Sequence, residues 1–134
     1  MFSSSDFPVH VTIVRPFLSG IDEKEIIKKM KITSSKNKPM KTSGKSKEMF
    51  GPQNNVFVTE LENTPEIQKL HNDSLDDLGD SINFELPQYN SNFRPHVTDQ
   101  KTGKISVGEE IFINSISLLR FYENKCHIID TVDL

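Results

Sequence analysis

The chain has 134 residues, 34% hydrophobic and 26% charged, with a formal charge of −3. These values suit a single folded domain spanning 1–134, and the acidic balance excludes the broad basic surface that grips long duplex nucleic acid through many phosphates. The lone Cys126 excludes an internal disulfide. No apolar run reaches membrane-spanning length, and the first ten residues lack a signal peptide's basic and apolar regions, so a cytoplasmic location without a membrane partner is expected.

Residues 9–14 read as a first strand, apolar and β-branched, ending near Pro16. Ser19 is placed to cap a helix over 21–30, with Asp22 three residues on and Ile26, Ile27 and Met30 sharing a face. The chain contains no Ala, so packing must hold its helices. Lys31-Ile32-Thr33 suggests a second strand. The stretch 34–48, rich in Ser and Lys with Pro39 and Gly44, reads as a mobile basic loop. It is either plain solvated chain or a loop that meets substrate phosphate. Gly51-Pro52 marks a turn, and Val56-Phe57-Val58 a strand.

Thr64-Pro65-Glu66 combines a cap, a proline at the first position and an acid in the first turn. Ile67, Leu70, His71, Leu75 and Leu78 then keep helical spacing up to Gly79. Residues 80–92 read as irregular, and a strand follows over 94–99. Lys101-Thr102-Gly103-Lys104 is a turn. Segments 111–122 and 126–134 are strands joined at Glu123-Asn124-Lys125. This order predicts an α+β fold with two similar lobes, each a helix on an antiparallel sheet, and a cleft between them.

One tripeptide occurs twice, as His10-Val11-Thr12 and His96-Val97-Thr98. By composition about 0.4% of histidines precede Val-Thr, so two such cases among four histidines is on the order of one in ten thousand. On a strand, residues i and i+2 share a face. Each triplet therefore offers an imidazole beside a hydroxyl, with Val turned inward. Two such strands brought together supply two titratable groups and two hydroxyl donors, a set suited to acid/base work on a phosphodiester.

The two triplets, the second within Arg94-Pro95-His96-Val97-Thr98, resemble the 2H phosphoesterases, the superfamily of 2′-5′ RNA ligase-like proteins and cyclic phosphodiesterases. Phe50-Gly51-Pro52, Val58-Thr59-Glu60-Leu61, Leu70-His71, Ser106-Val107-Gly108-Glu109-Glu110 and Ser115-Ile116-Ser117-Leu118 are similar to its ligase-like branch. The resemblance implies a bilobal fold and metal-independent chemistry on 2′,3′-cyclic or 2′-5′-linked phosphodiesters. It implies that His10 and His96 are the acid/base pair and that Thr12 and Thr98 bind phosphate. It implies no cofactor, and a small nucleotide or an RNA 3′ end as partner. Two positions depart from the pattern. Asp99 stands where an apolar residue is usual, so the second motif strand should end early. Only nine residues precede His10, so a strand before the first motif should be missing; an exposed edge there would give a weak homodimer or a less stable monomer.

Arg94 shares strand parity with His96 and fits either a phosphate contact or a strand start. Phe93 and Tyr89 can stack a base or pack in the core. His71 and His127 read as packed or capping residues, and Cys126 as no nucleophile. The histidines lack zinc-ligand spacing. An enzyme is favoured over a catalytically inactive module that binds a nucleotide or RNA end, because such a module needs only one of the two histidines; a zinc hydrolase is the third alternative.

Overall fold

A computed structural model describes residues 2–3, 8–84, 93–123 and 125–134. Tyr89, Pro87 and the middle residue of the 123–125 turn lie outside them. The fold is α+β. Nine strands are described: β1 (Phe2–Ser3), β2 (Leu18–Ser19), β3 (Met40–Phe50), β4 (Val56–Leu61), β5 (Ile82–Asn83), β6 (His96–Thr98), β7 (Glu110–Ile113), β8 (Ser115–Tyr122) and β9 (Lys125–Asp133). The two helices are α1 (Glu23–Ser35) and α2 (Pro65–Leu78). One antiparallel sheet has the order β1-β9-β8, a second β6-β4-β3-β7, and β2 pairs with β5 in a short ribbon.

Both helices begin on side-chain caps. The Asp22 carboxylate accepts the Glu25 N–H at 2.9 Å, and the Thr64 hydroxyl accepts the Ile67 N–H at 3.2 Å. The first cap is therefore Asp22 rather than Ser19, which lies in β2. Helix α2 ends at Gly79, whose φ of 50° favours glycine. Helix α1 runs on through Lys31-Ile32-Thr33, which is not a strand. The buried Thr33 donates its hydroxyl to Asp77 of α2 at 2.6 Å, and Lys36 reaches the same carboxylate at 2.8 Å. Tertiary contact thus overrides the strand preference of two β-branched residues.

The segment 34–48 is the largest correction. It is not a mobile loop: Ser35 closes α1, and Met40–Phe50 forms β3, 11 residues long. Ser and Lys favour strands poorly in isolation. Here β7 pairs with its first part, 40–43, and β4 with the rest, 44–50, so main-chain partners follow one another along its length. Lys41 and Lys45 are exposed and Lys47 donates to Thr59 and Asp99, while Met40, Thr42 and Gly44 are buried. Lys45 sits in a bulge, where pairing shifts between Gly44 and Ser46.

The expectation of a continuous strand over 9–14 is also corrected. Only Val11 pairs there, in a single antiparallel bridge with Val97. A strand does precede the first triplet: β1 pairs with β9, in the other sheet. The 80–92 region likewise holds β5 at its start.

Three apolar clusters fill the molecule. Ile26 of α1 and Leu78 of α2 meet Leu118 of β8; Ile67 and Leu70 of α2 meet Met40 of β3; Leu61 of β4 meets Val97 of β6 and Ile105. Residues 11–14 reach all three: Val11 joins the third, Ile13 the second and Val14 the first. Among the described residues, no helix is long and apolar enough to cross a membrane.

Candidate active site

The Val11–Val97 bridge brings the two triplets side by side. They are neighbours in one pairing. In the antiparallel register set by this bridge, His10 falls opposite Thr98 and Thr12 opposite His96. On its far side β6 pairs with β4, matching Glu60 with His96 and Val58 with Thr98. Val97 is buried, and the motif side chains on either side of it are half-buried. Strand β6 ends at Thr98, as the Asp99 departure implies. The Asp99 carboxylate turns to Lys47, 3.1 Å away.

The two imidazoles are held by the same device. His10 donates from Nδ1 to the Pro8 carbonyl at 2.9 Å, and His96 donates from Nδ1 to the Arg94 carbonyl at 2.8 Å. A carbonyl can only accept, so each ring carries a proton on Nδ1, and a neutral ring has its lone pair on Nε2. Each ring is thus oriented by main chain two residues upstream.

Arg94 is fixed from two directions. Its Nη2 and Nε donate to the two Glu60 carboxylate oxygens at 2.6 and 3.1 Å, and its guanidinium lies 4.4 Å from the Phe50 ring centre. The same Phe50 ring meets His96 at 4.7 Å and 71°. Phe50 therefore couples the arginine to the imidazole. The Arg94 hydrogen bond holds the Glu60 carboxyl below its ordinary range, against the opposing effect of burial. In return the Arg94 guanidinium is raised.

A cavity of about 520 Å³ opens beside this group. Thr12, Arg94 and His96 line it together with Phe50, Phe93 and His71. His10 and Thr98 are not among its lining residues. Arg15 also reaches it, with its guanidinium 4.0 Å from the Phe84 ring centre. His127 lies elsewhere, opposite Arg120 in the β8–β9 pair, and Cys126 is buried. Among the described residues, no three His, Cys, Asp or Glu side chains are grouped to hold a metal ion.

The sequence reading missed Glu60 as the partner of Arg94 and gave His71 no place at the cavity. The Glu60–Arg94 pair spans 34 residues of chain and leaves no local signature. The quoted Phe50-Gly51-Pro52 was the available pointer to Phe50.

The sequence model of the 2′-5′ RNA ligase superfamily matches residues 3–107. The chain belongs to that superfamily. Solved structures agree with this fold. Escherichia coli LigT, determined with 3′-AMP, superposes with a TM-score of 0.57 over 94% of this chain and 76% of LigT, at 15% identity. A protein described as a phosphoesterase gives a TM-score of 0.62 over 99% of this chain and 80% of its own, at 13% identity. No curated protein matches by sequence. Both histidine triplets lie inside the span matched to the superfamily.

Proposed function

We propose that this member of the superfamily is a metal-independent phosphoesterase acting on 2′,3′-cyclic or 2′-5′-linked phosphodiesters of small nucleotides or RNA ends. The observation that carries the reading is the Val11–Val97 bridge, which joins two segments whose imidazoles each donate from Nδ1 to a carbonyl two residues upstream. One imidazole, neutral, takes a proton from water at Nε2 while the water oxygen attacks phosphorus. The P–O bond to the ribose oxygen breaks, and the other imidazole, protonated, gives that oxygen its proton. A monoester leaves, and the pair has exchanged protonation states. Solvent resets it.

The Thr12 and Thr98 hydroxyls donate to the non-bridging oxygens, where negative charge grows. Arg94 has five N–H donors, and Glu60 takes two of them. The remaining donors serve the phosphate. Glu60 keeps that guanidinium from swinging away.

One observation favours a second reading, a module that holds a nucleotide phosphate without turnover. Thr12, Arg94 and His96 line the cavity, whereas His10 and Thr98 do not. A screen of 2′,3′-cyclic nucleotides and 2′-5′ oligonucleotides, with and without chelator, separates the two. Turnover that survives chelation and follows a bell-shaped pH profile supports the enzyme. Binding without turnover supports the module. Activity lost in chelator and restored by zinc overturns the metal-independent mechanism.

A further inference from the structure

Two arginines line the cavity beside the paired triplets, Arg94 and Arg15. None of its described lining residues is acidic. In a chain with a formal charge of −3, this is a local excess of positive charge around one space. The phosphate proposed at His96 gives Arg94 a role. It gives Arg15 none.

Arg15 is anchored separately from Arg94. Its guanidinium carbon lies 4.0 Å from the Phe84 ring centre, whereas that of Arg94 lies 4.4 Å from the Phe50 ring centre. Both rings line the cavity. In a straight strand Thr12 and Arg15 would face opposite sides. The chain bends at residues 13–14, and both side chains belong to the lining of the same cavity. Ile13 and Val14 pack into different apolar clusters, which fixes the main chain between Thr12 and Arg15. Three residues span at most about 11 Å, so Arg15 is rooted within a nucleotide's length of Thr12. A cavity of about 520 Å³ holds more than a single phosphate. Stacking on Phe84 engages the flat face of the guanidinium, whose N–H donors lie in its plane and whose charge persists at every working pH.

We infer that Arg15, seated on Phe84, is a second phosphate subsite, for the phosphoryl group on the 5′ oxygen of the reacting nucleotide. The inference rests on the reading that a nucleotide phosphate sits at Thr12, Arg94 and His96. The next phosphate of any ribonucleotide is carried on O5′, a few bonds from the ribose oxygens that hold the reacting one. Two sources supply it: the terminal 5′-phosphate of a mononucleotide, or the internal phosphodiester that precedes an RNA 3′ end.

The test measures binding, with adenosine 3′-phosphate, adenosine 3′,5′-bisphosphate and the dinucleotide uridylyl-adenosine 3′-phosphate titrated into the full chain at neutral pH. A ligand with the second phosphate should bind about ten- to a hundredfold more tightly than adenosine 3′-phosphate, the worth of a charge-assisted hydrogen bond. Its affinity should also fall more steeply with salt. A gain confined to the bisphosphate marks the terminal phosphate as the source; a gain confined to the dinucleotide marks the RNA end. Arg15→Gln should bring the ratio to about one while adenosine 3′-phosphate binds as before, and Arg15→Lys should restore most of the preference. An arginine that served the first phosphate, or only braced Phe84, would weaken every ligand alike and leave the ratio intact. Should Arg15→Gln not fold, the Arg15 Nε–H resonance of the parent chain decides: it should move with the bisphosphate and stay with adenosine 3′-phosphate. Equal affinity for all three ligands, a ratio that survives Arg15→Gln, or a resonance indifferent to the second phosphate overturns the inference and leaves the enzyme reading standing. A preference abolished by Arg15→Gln, without turnover of any cyclic substrate, would sink the enzyme reading and leave the subsite.

Discussion

Val11 pairs with Val97, and through that pair the two histidine triplets become one unit. Two segments 86 residues apart in sequence are locked in antiparallel register by two apolar side chains in one cluster. The hydroxyl of each triplet thereby stands across from the imidazole of the other.

His10→Ala and His96→Ala should each lower turnover about 10²–10⁴-fold, the usual cost of a positioned acid or base. The double variant should be little worse than either single one, since the pair acts as a unit. Steady-state kinetics on any 2′,3′-cyclic substrate of the parent checks this. A single variant with near-parental turnover would refute the two-histidine mechanism.

Thr12→Val and Thr98→Val preserve shape and remove a donor. A donor aimed at developing charge is worth at most about 2.7–4 kcal/mol. Each variant should lose kcat, by less than the histidine variants, with unchanged thermal stability. Unaltered kinetics in both would reduce the hydroxyls to strand formers.

Glu60→Gln should loosen Arg94 and raise KM about three- to tenfold, with a smaller effect on kcat. It also has a pH signature. Glu60 is held below its ordinary value of 4.5, first by the Arg94 hydrogen bond. The folded state therefore binds fewer protons than the unfolded state in this window. The stabilising contribution is complete above about pH 4.5 and is lost as pH falls through the depressed folded value. An exposed ion pair is worth about 1 kcal/mol or less. Urea titrations of parent and Glu60→Gln should differ by that amount at pH 7, and the difference should shrink as pH falls below the ordinary value of 4.5. A difference that grows on acidification would contradict the assignment.

Gly44→Ala should destabilise the fold by about 1–3 kcal/mol, the cost of overpacking. A Cβ at Gly44 would collide with the Ser106 carbonyl oxygen and meet the Thr59 side chain at 3.0 Å. Segment 105–109 is tied there by Gly44 N–H to the Glu109 carbonyl at 3.0 Å and Gly108 N–H to the Gly44 carbonyl at 2.8 Å. Thermal denaturation reads the loss directly. A Tm equal to the parent's would mean that the segment yields freely.

Where a local signal decides structure, the sequence was sufficient. Thr64-Pro65 starts α2 and Gly79 ends it at the expected positions. The repeat of the triplet is a local fact, and the Val11–Val97 bridge brings its two copies side by side. Apart from the α1 cap, which is Asp22 rather than Ser19, the failures lie where distant chain intervenes. Lys41, Lys45 and Lys47 made β3 look like solvated loop, and only the flanking strands β4 and β7 make it a strand. Ile32 and Thr33 are helical because Asp77, 44 residues from Thr33, receives the Thr33 hydroxyl. Arg94 is held by Glu60, 34 residues away, and by Phe50, and neither contact has a local signature.

Residues 11–14 reach three apolar clusters with three side chains, and this constrains where the chain can be opened. Cutting or extending the polypeptide there would free Val11, Ile13 and Val14 from separate regions at once, so local opening at that point approaches global unfolding. Circular permutants with new ends between residues 10 and 15 should fail to accumulate. The exposed turn at 51–54 is the better place for new termini. The segment that carries Thr12 is thus also the one whose continuity the whole architecture requires.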